Sequence, residues 1–266
     1  MDGFDVETLD IENLSAYAVQ VLALVPRVMV ATMLIPVFAS RYLPAGARFG
    51  VALAMVWVAA LAEPLDSAAT GASGAAYGLL LLKEAGIGLM IGLSFAMVFW
   101  VARAIGELVD YQTASTFSQN TDPVNGQNAS TLGMFIEKVF IVYTVAAGGL
   151  LIFAEVLLLS YSLWPVGQLV PDLIQRASPL LIMETSRLFA LGLLLAGPMM
   201  LIVFMIDIGF GLIGRTAPQL NLLNLTLPLK APVAVFVLML ALPFLLSRLF
   251  SALGSVRTAL VTLLNG

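Results

Sequence analysis

Apolar stretches long enough to cross a bilayer, but broken by ionised side chains, set the tightest limit on what this chain can fold into. Six blocks can be marked, roughly Leu14–Phe38, Phe49–Ala62, Gly78–Ala102, Leu132–Leu158, Pro179–Ile206 and Ala231–Phe250. A helix rises 1.5 Å per residue, so crossing the hydrocarbon core takes about 20 residues. The second block is short for that. Four others hold internal charges: Arg27; Lys83 and Glu84; Glu137, Lys138 and Glu155; Glu184 and Arg187. Only Ala85–Ala102 and Leu188–Ile206 are clear uncharged windows of about eighteen residues or more. Each charge at bilayer depth costs about 2.5–3.5 kcal/mol on insertion scales. The expectation is an all-α chain of hairpins and broken helices whose charges meet protein, water or the interface, rather than six independent lipid-facing spans.

Composition supports this. Hydrophobic residues make up 61% of the 266, and charged residues only 11%. A water-facing surface cannot be covered with so few polar groups, so the chain is an integral membrane protein or the interior of a larger assembly. A formal net charge of −4 and the lack of a basic run speak against nucleic acid as a partner. With no Cys and no His there is no disulfide, thiolate nucleophile, imidazole base or His-ligated metal. No Walker loop, dinucleotide fingerprint or HExxH is present. No cofactor, metal or catalytic residue is therefore expected.

Five acids, Asp2, Asp5, Glu7, Asp10 and Glu12, crowd the first twelve residues without a base. That is the reverse of a signal peptide, and no cleavage is expected. Residues 1–13 read as an acidic tail, 14–250 as one helical domain and 251–266 as a C-terminal tail. Basic residues favour the first, third and fifth connections (Arg41 and Arg48, Arg103, then Arg215 to Lys230), which would put both termini outside.

Several charges are candidates for buried polar contacts: Lys83, Glu84, Arg103, Glu107, Glu155, Glu184, Arg187 and Asp207. Arg103 and Glu107 are spaced i,i+4, and Glu184 and Arg187 i,i+3, so each pair can meet on a helix face. Glu155 and Asp207 have no near partner in sequence. Either these groups end helices, or they make contacts across an interface or along a pore. Gly88 and Gly92 form a GxxxG pair, with Gly86 beside them, that would let helices approach closely. Pro26, Pro36, Pro198 and Pro243 fall inside blocks and are expected to bend or break helices.

Two polar interruptions remain. Residues 107–128 are rich in Ser, Thr, Asn and Gln and contain a DPVNG turn signal. They read as a solvated loop or as a mobile segment at a pore. Residues 207–230 mix glycine and proline into an apolar run. They suit a short helical hairpin or re-entrant bend.

The motifs PVFASRYLPAGARFGVALA (36–54), Lys83-Glu84 opening a Gly-rich block, GELVDYQTASTFSQNTDPVNGQ (106–127), SYSLWPV (160–166) and APQLNLLNLTLPLK (217–230) occur in that order. Together, over about residues 14 to 250, they resemble the FliR/SctT family of type III secretion export-gate subunits. SYSLWPV is more similar to the virulence-type members than to flagellar FliR. The resemblance implies a multi-pass protein of the bacterial inner membrane, built into a helical hetero-oligomeric gate that passes unfolded secreted proteins and is raised out of the bilayer plane. It implies SctR/FliP-like and SctS/FliQ-like subunits as partners, with SctU/FlhB-like and SctV/FlhA-like export components. It also places a plug-forming loop at Tyr111, Gln112, Thr113, Ser115, Thr116, Phe117 and Ser118. A small-solute secondary transporter is the reading from another class, but no internal repeat supports it. An intramembrane hydrolase using Asp110, Asp122 or Asp207 lacks a suitable motif.

Overall fold

The computed structural model describes residues 11–62, 74–113, 130–167, 173–216 and 222–265. Among them are seven α-helices and no strand: α1 (Ile11–Leu34), α2 (Ala45–Ala62), α3 (Gly74–Gln112), α4 (Thr131–Ala146), α5 (Gly149–Leu163), α6 (Leu173–Thr216) and α7 (Leu222–Asn265), with a 3-10 turn at Pro36–Phe38. Four helices are long and apolar enough to cross a membrane, or five if the bent pair α4–α5 counts as one span. The second block forms α2, a shorter apolar helix.

The four prolines expected to bend or break helices differ in where they stand. Of Pro26, Pro36, Pro198 and Pro243, Pro36 alone stands at a helix end, where it starts the 3-10 turn after α1. Pro26 lies inside α1, Pro198 inside α6, and Pro228, Pro232 and Pro243 inside α7. Each proline removes one backbone hydrogen bond, and long apolar helices absorb that loss locally. The sharp break falls instead where no proline stands. At Ala147 and Gly148 the chain leaves α4, and Gly148 takes φ 80°, a conformation that glycine adopts without a Cβ penalty. The amides of Ala147 and Gly148 close the turn onto the carbonyls of Tyr143 and Val145.

Within residues 207–230, positions 217–221 lie outside the described residues. Asp207–Thr216 extend α6, and Leu222–Lys230 open α7. Residues 251–265 likewise continue α7, and residues 11–13 belong to α1.

The helices gather into two compact units. The first comprises residues 1–96, 150–182 and 256–266, and the second 97–149 and 183–255. In the first, Phe153 packs edge-on to Phe95 at 5.4 Å and near Phe38 at 6.2 Å. In the second, Phe99 meets Phe140 at 5.0 Å and Tyr143 meets Phe250 at 5.8 Å. Such aromatic contacts add about 0.5–1.5 kcal/mol beyond area burial. Coverage is uneven. In the most apolar part of α3, 67% of residues are buried, against 28% in α6 and in α7. Phe189, Leu194, Phe236 and Leu240 stand exposed on those last two helices.

Candidate functional site

The first unit is organised around a buried cation. Arg27 has no exposed surface. Its Nε donates to Glu84 Oε2 at 2.7 Å, its Nη1 to Ser160 Oγ at 3.0 Å and its Nη2 to the Trp164 carbonyl at 2.9 Å. The guanidinium lies 4.1 Å above the Tyr161 ring, and the Tyr161 hydroxyl donates back to the Leu24 carbonyl at 2.8 Å. Lys83 Nζ donates to the Pro165 and Val166 carbonyls and pairs with Glu84 Oε1 at 2.8 Å.

The local sequence explains this arrangement. Pro165 stops α5 soon after Leu163 and leaves carbonyls without amide partners, and the helix dipole makes that end negative. Two cations reach it from α1 and α3, and one carboxylate offsets part of their charge. The guanidinium fork supplies several fixed donors to a carboxylate, a hydroxyl and a carbonyl at once. The SYSLWPV run is therefore the receiving half of a three-way joint between α1, α3 and the end of α5.

The same joint depends on close backbone approach. A Cβ at Gly88 would land on the Arg27 carbonyl, and one at Gly92 would lie 2.7 Å from the Ala31 carbonyl oxygen. Gly86 faces open space and takes no part.

In the second unit, polar contacts frame the polar interruption. Arg103 Nε donates to Glu107 Oε1 at 2.6 Å, and its Nη1 lies 3.6 Å from Glu137 Oε2. A Cβ on Gly106 would sit 2.5 Å from the Gly133 amide nitrogen, so α3 and α4 touch through backbone. Asp110 is 3% exposed and accepts from Ser130 Oγ at 2.6 Å and from the Leu132 amide at 2.8 Å. Ser130 Oγ in turn accepts from the Gly133 amide and caps α4. The end of α3 and the start of α4 are thus held together by one carboxylate. Of the proposed plug residues, Tyr111 is 80% exposed, Gln112 is half-buried and Thr113 is buried. Ser115, Thr116, Phe117 and Ser118 lie outside the described residues.

The remaining candidates are paired but mostly near the surface of the single chain. Glu155 binds Arg257, and Asp207 binds Lys230. Glu184 is buried, while its partner Arg187, 3.6 Å away, is 61% exposed. Sequence spacing could not supply the partners of Glu155 and Asp207, which lie far along the chain. It also missed Arg27 as the hub, although a charge beside Pro26 in the middle of an apolar block signals a group that must be paired. For Asp110 the sequence alone offers only the reading as an acid. The Ser130 that precedes an apolar run was the available sign of a cap. Among the described residues no three carboxylates gather where a metal could sit.

Residues 18–255 match the family described as Bacterial export proteins, family 1. The surface presentation of antigens protein SpaR of Salmonella typhimurium is 33% identical over 60% of this chain and 60% of its own length. Yop proteins translocation protein T of Yersinia pestis is 28% identical over 61% and 62%. The flagellar biosynthetic protein FliR of Caulobacter vibrioides is 27% identical over 86% and 90%. The matched part spans about 60% of the length of SpaR. With the family match covering most of the chain, this protein belongs to the bacterial export proteins, family 1.

Proposed function

We propose that this chain is a non-enzymatic core subunit of a type III protein export gate in the bacterial inner membrane, forming and sealing a channel for unfolded protein substrates. The observation that carries the reading is the contrast within the fold. Buried polar joints fix α1, α3, α4 and α5, while α6 and α7 leave most of their apolar residues uncovered. Such a chain is built to be completed by apolar neighbours, and its relatives bear secretion and flagellar names. SctR/FliP-like and SctS/FliQ-like subunits are the proposed neighbours. SctU/FlhB-like and SctV/FlhA-like components would act with the assembled gate, and energy would come from a separate ATPase and the proton-motive force.

The virulence-type assignment follows the SpaR and Yop translocation relatives. A flagellar role is the second reading, favoured by the FliR match over 86% of this chain. The seal is proposed at residues 111–118, next to the Asp110 joint.

Co-expression tests the proposal. Alone, the chain should aggregate or be degraded. With the two small partner subunits it should yield a stable, detergent-resistant complex. A monodisperse, stable monomer purified without partners would overturn the assignment.

A further inference from the structure

The second unit contains a groove of about 400 Å³ between α6 and α7, lined among others by Arg187, Leu191 and Leu194 of α6 and by Arg248, Ser251 and Ser255 of α7. We propose that this groove docks an apolar helix of a neighbouring gate subunit, and that a carboxylate on that helix pairs with Arg248. The inference rests on the export-gate reading and names what the neighbour must carry at this place.

The charges of the two helices call for an anion from outside. Between Glu184 and Asp207, α6 holds no acid, and α7 holds none over its whole length. Of the bases on α7, Lys230 pairs with Asp207 and Arg257 with Glu155. Arg248 is exposed, and its guanidinium lies 5.1 Å over the Phe244 ring, with no carboxylate against it among the described residues. Arg187, on the other wall, has Glu184 at 3.6 Å. The groove therefore keeps a net positive charge after Glu184 is counted. Ser251 and Ser255 donate their hydroxyl hydrogens to the Ser247 and Ala252 carbonyls of α7 itself. The donors left over are guanidinium N–H groups, and what docks there must accept from them.

Water satisfies Arg248 in the lone chain. The apolar neighbours that complete α6 and α7 would take that water away, and a guanidinium shut into apolar protein is strongly disfavoured unless a carboxylate is shut in with it. The surface beyond the groove decides between a helix and a small anion. Leu194, Leu201 and Met205 follow Arg187 by 7, 14 and 18 residues, which a period of 3.6 puts on one face of α6. All three are exposed. At 1.5 Å per residue, this stripe and its arginine span about 27 Å. A small anion would leave the stripe bare. An apolar helix laid along it, with its carboxylate at the arginine end, covers both.

The test uses the full chain assembled with its partner subunits and purified in detergent, and it turns on Arg248→Lys. Arginine does not react with an activated carboxylate, whereas a lysine amine displaces the activating group and forms an amide. The complex is treated with a water-soluble carbodiimide, and links are mapped by peptide mass spectrometry. In Arg248→Lys a link should run from position 248 to an Asp or Glu on an apolar helix of a partner subunit, and wild type should lack it. Arg248→Gln should still fold, because the side chain is exposed, and should speed loss of the partner from the complex about tenfold or more. An assembled Arg248→Lys complex with no link from position 248 would overturn the proposal. So would a link to a carboxylate of this chain's own sequence, which would mean an internal pair or a second copy. An unchanged dissociation rate in Arg248→Gln would count equally against it. If the assembled complex instead holds phosphatidylglycerol that Arg248→Gln releases, a lipid phosphate occupies the groove and the proposal fails. Each of these leaves the export-gate reading standing, whereas failure of wild type to assemble with the partner subunits would remove that reading and this one together.

Discussion

Arg27 Nε donates to Glu84 Oε2 at 2.7 Å in a place where neither side chain has any exposed surface. The two residues are 57 positions apart, on α1 and α3. Two charges removed from water do not by themselves guarantee a gain in stability, because desolvation offsets much of their attraction. What the pair does secure is specificity. The guanidinium finds its carboxylate, hydroxyl and carbonyl only when α1, α3 and the end of α5 are in one arrangement.

Breaking this pair should cost much more than replacing it. Glu84→Ala leaves the guanidinium and Lys83 facing each other in an apolar interior, for an expected loss of about 3–5 kcal/mol. The assembled complex should melt earlier or fail to form. Arg27→Met combined with Glu84→Leu removes both charges at similar volume and should recover part of that loss, with Lys83 left on the Pro165 and Val166 carbonyls. Thermal denaturation of the co-purified complex measures both. A Glu84→Ala complex as stable as wild type would show that water reaches the site.

The glycines of α3 should differ sharply in tolerance. Gly92→Leu drives a side chain into the Ala31 backbone, and Gly88→Leu into that of Arg27. Overpacking of this kind costs about 1–3 kcal/mol, and more where backbone must move. Gly86→Ala meets nothing within 4 Å and should gain helix propensity, up to about 1 kcal/mol. Yield and melting temperature of the complex with each variant give the order. If Gly86→Ala proves as damaging as Gly92→Leu, a partner subunit covers that face.

Asp110→Ala should loosen the joint between α3 and α4. It removes the acceptor for Ser130 Oγ and the Leu132 amide and leaves two buried donors unsatisfied, costing about 1–3 kcal/mol each. Ser130→Ala also removes the helix cap, worth about 1 kcal/mol. Because the two residues share one hydrogen-bond network, the double variant should be less damaging than the sum of the singles. Hydrogen exchange at the first turn of α4 reads this directly. Unchanged protection in Asp110→Ala would mean that the Gly106–Gly133 contact alone holds the joint.

The helical class and the crowding of charges within apolar blocks were legible in the sequence, because both follow from local composition. The i,i+4 pair Arg103–Glu107 was legible for the same reason. Partners such as Arg257 for Glu155 or Ser160 for Arg27 were not, since they are brought together only by tertiary packing over 102 and 133 positions. Which prolines would end a helix was not legible either. Its cost is local and fixed, but whether a helix breaks there depends on neighbours that a one-dimensional reading does not contain. The real break at Gly148 had only a glycine pair, Gly148-Gly149, to announce it.

The last prediction concerns the seal. A conduit wide enough for an unfolded chain would leak ions when idle, so something must fill it. The family resemblance puts that role at residues 111–118, and the side-chain chemistry there is suitable. Thr113, Ser115, Thr116 and Ser118 tolerate water, while Tyr111 and Phe117 have the bulk to close a constriction and exclude it. The structure adds a control. Asp110 and Ser130 join the helix ends at the base of this segment, so a change beyond them should alter the segment without unseating α3 from α4. Deleting Gln112–Gln119, or making Phe117→Ala, should therefore leave the complex assembled and raise the ion conductance of membranes that contain it. Asp110→Ala should act in two places at once, lowering both stability and tightness. If the assembled deletion variant is as ion-tight as wild type, the seal lies elsewhere. If only Asp110→Ala leaks, the leak comes from the loosened helix joint rather than from a missing plug.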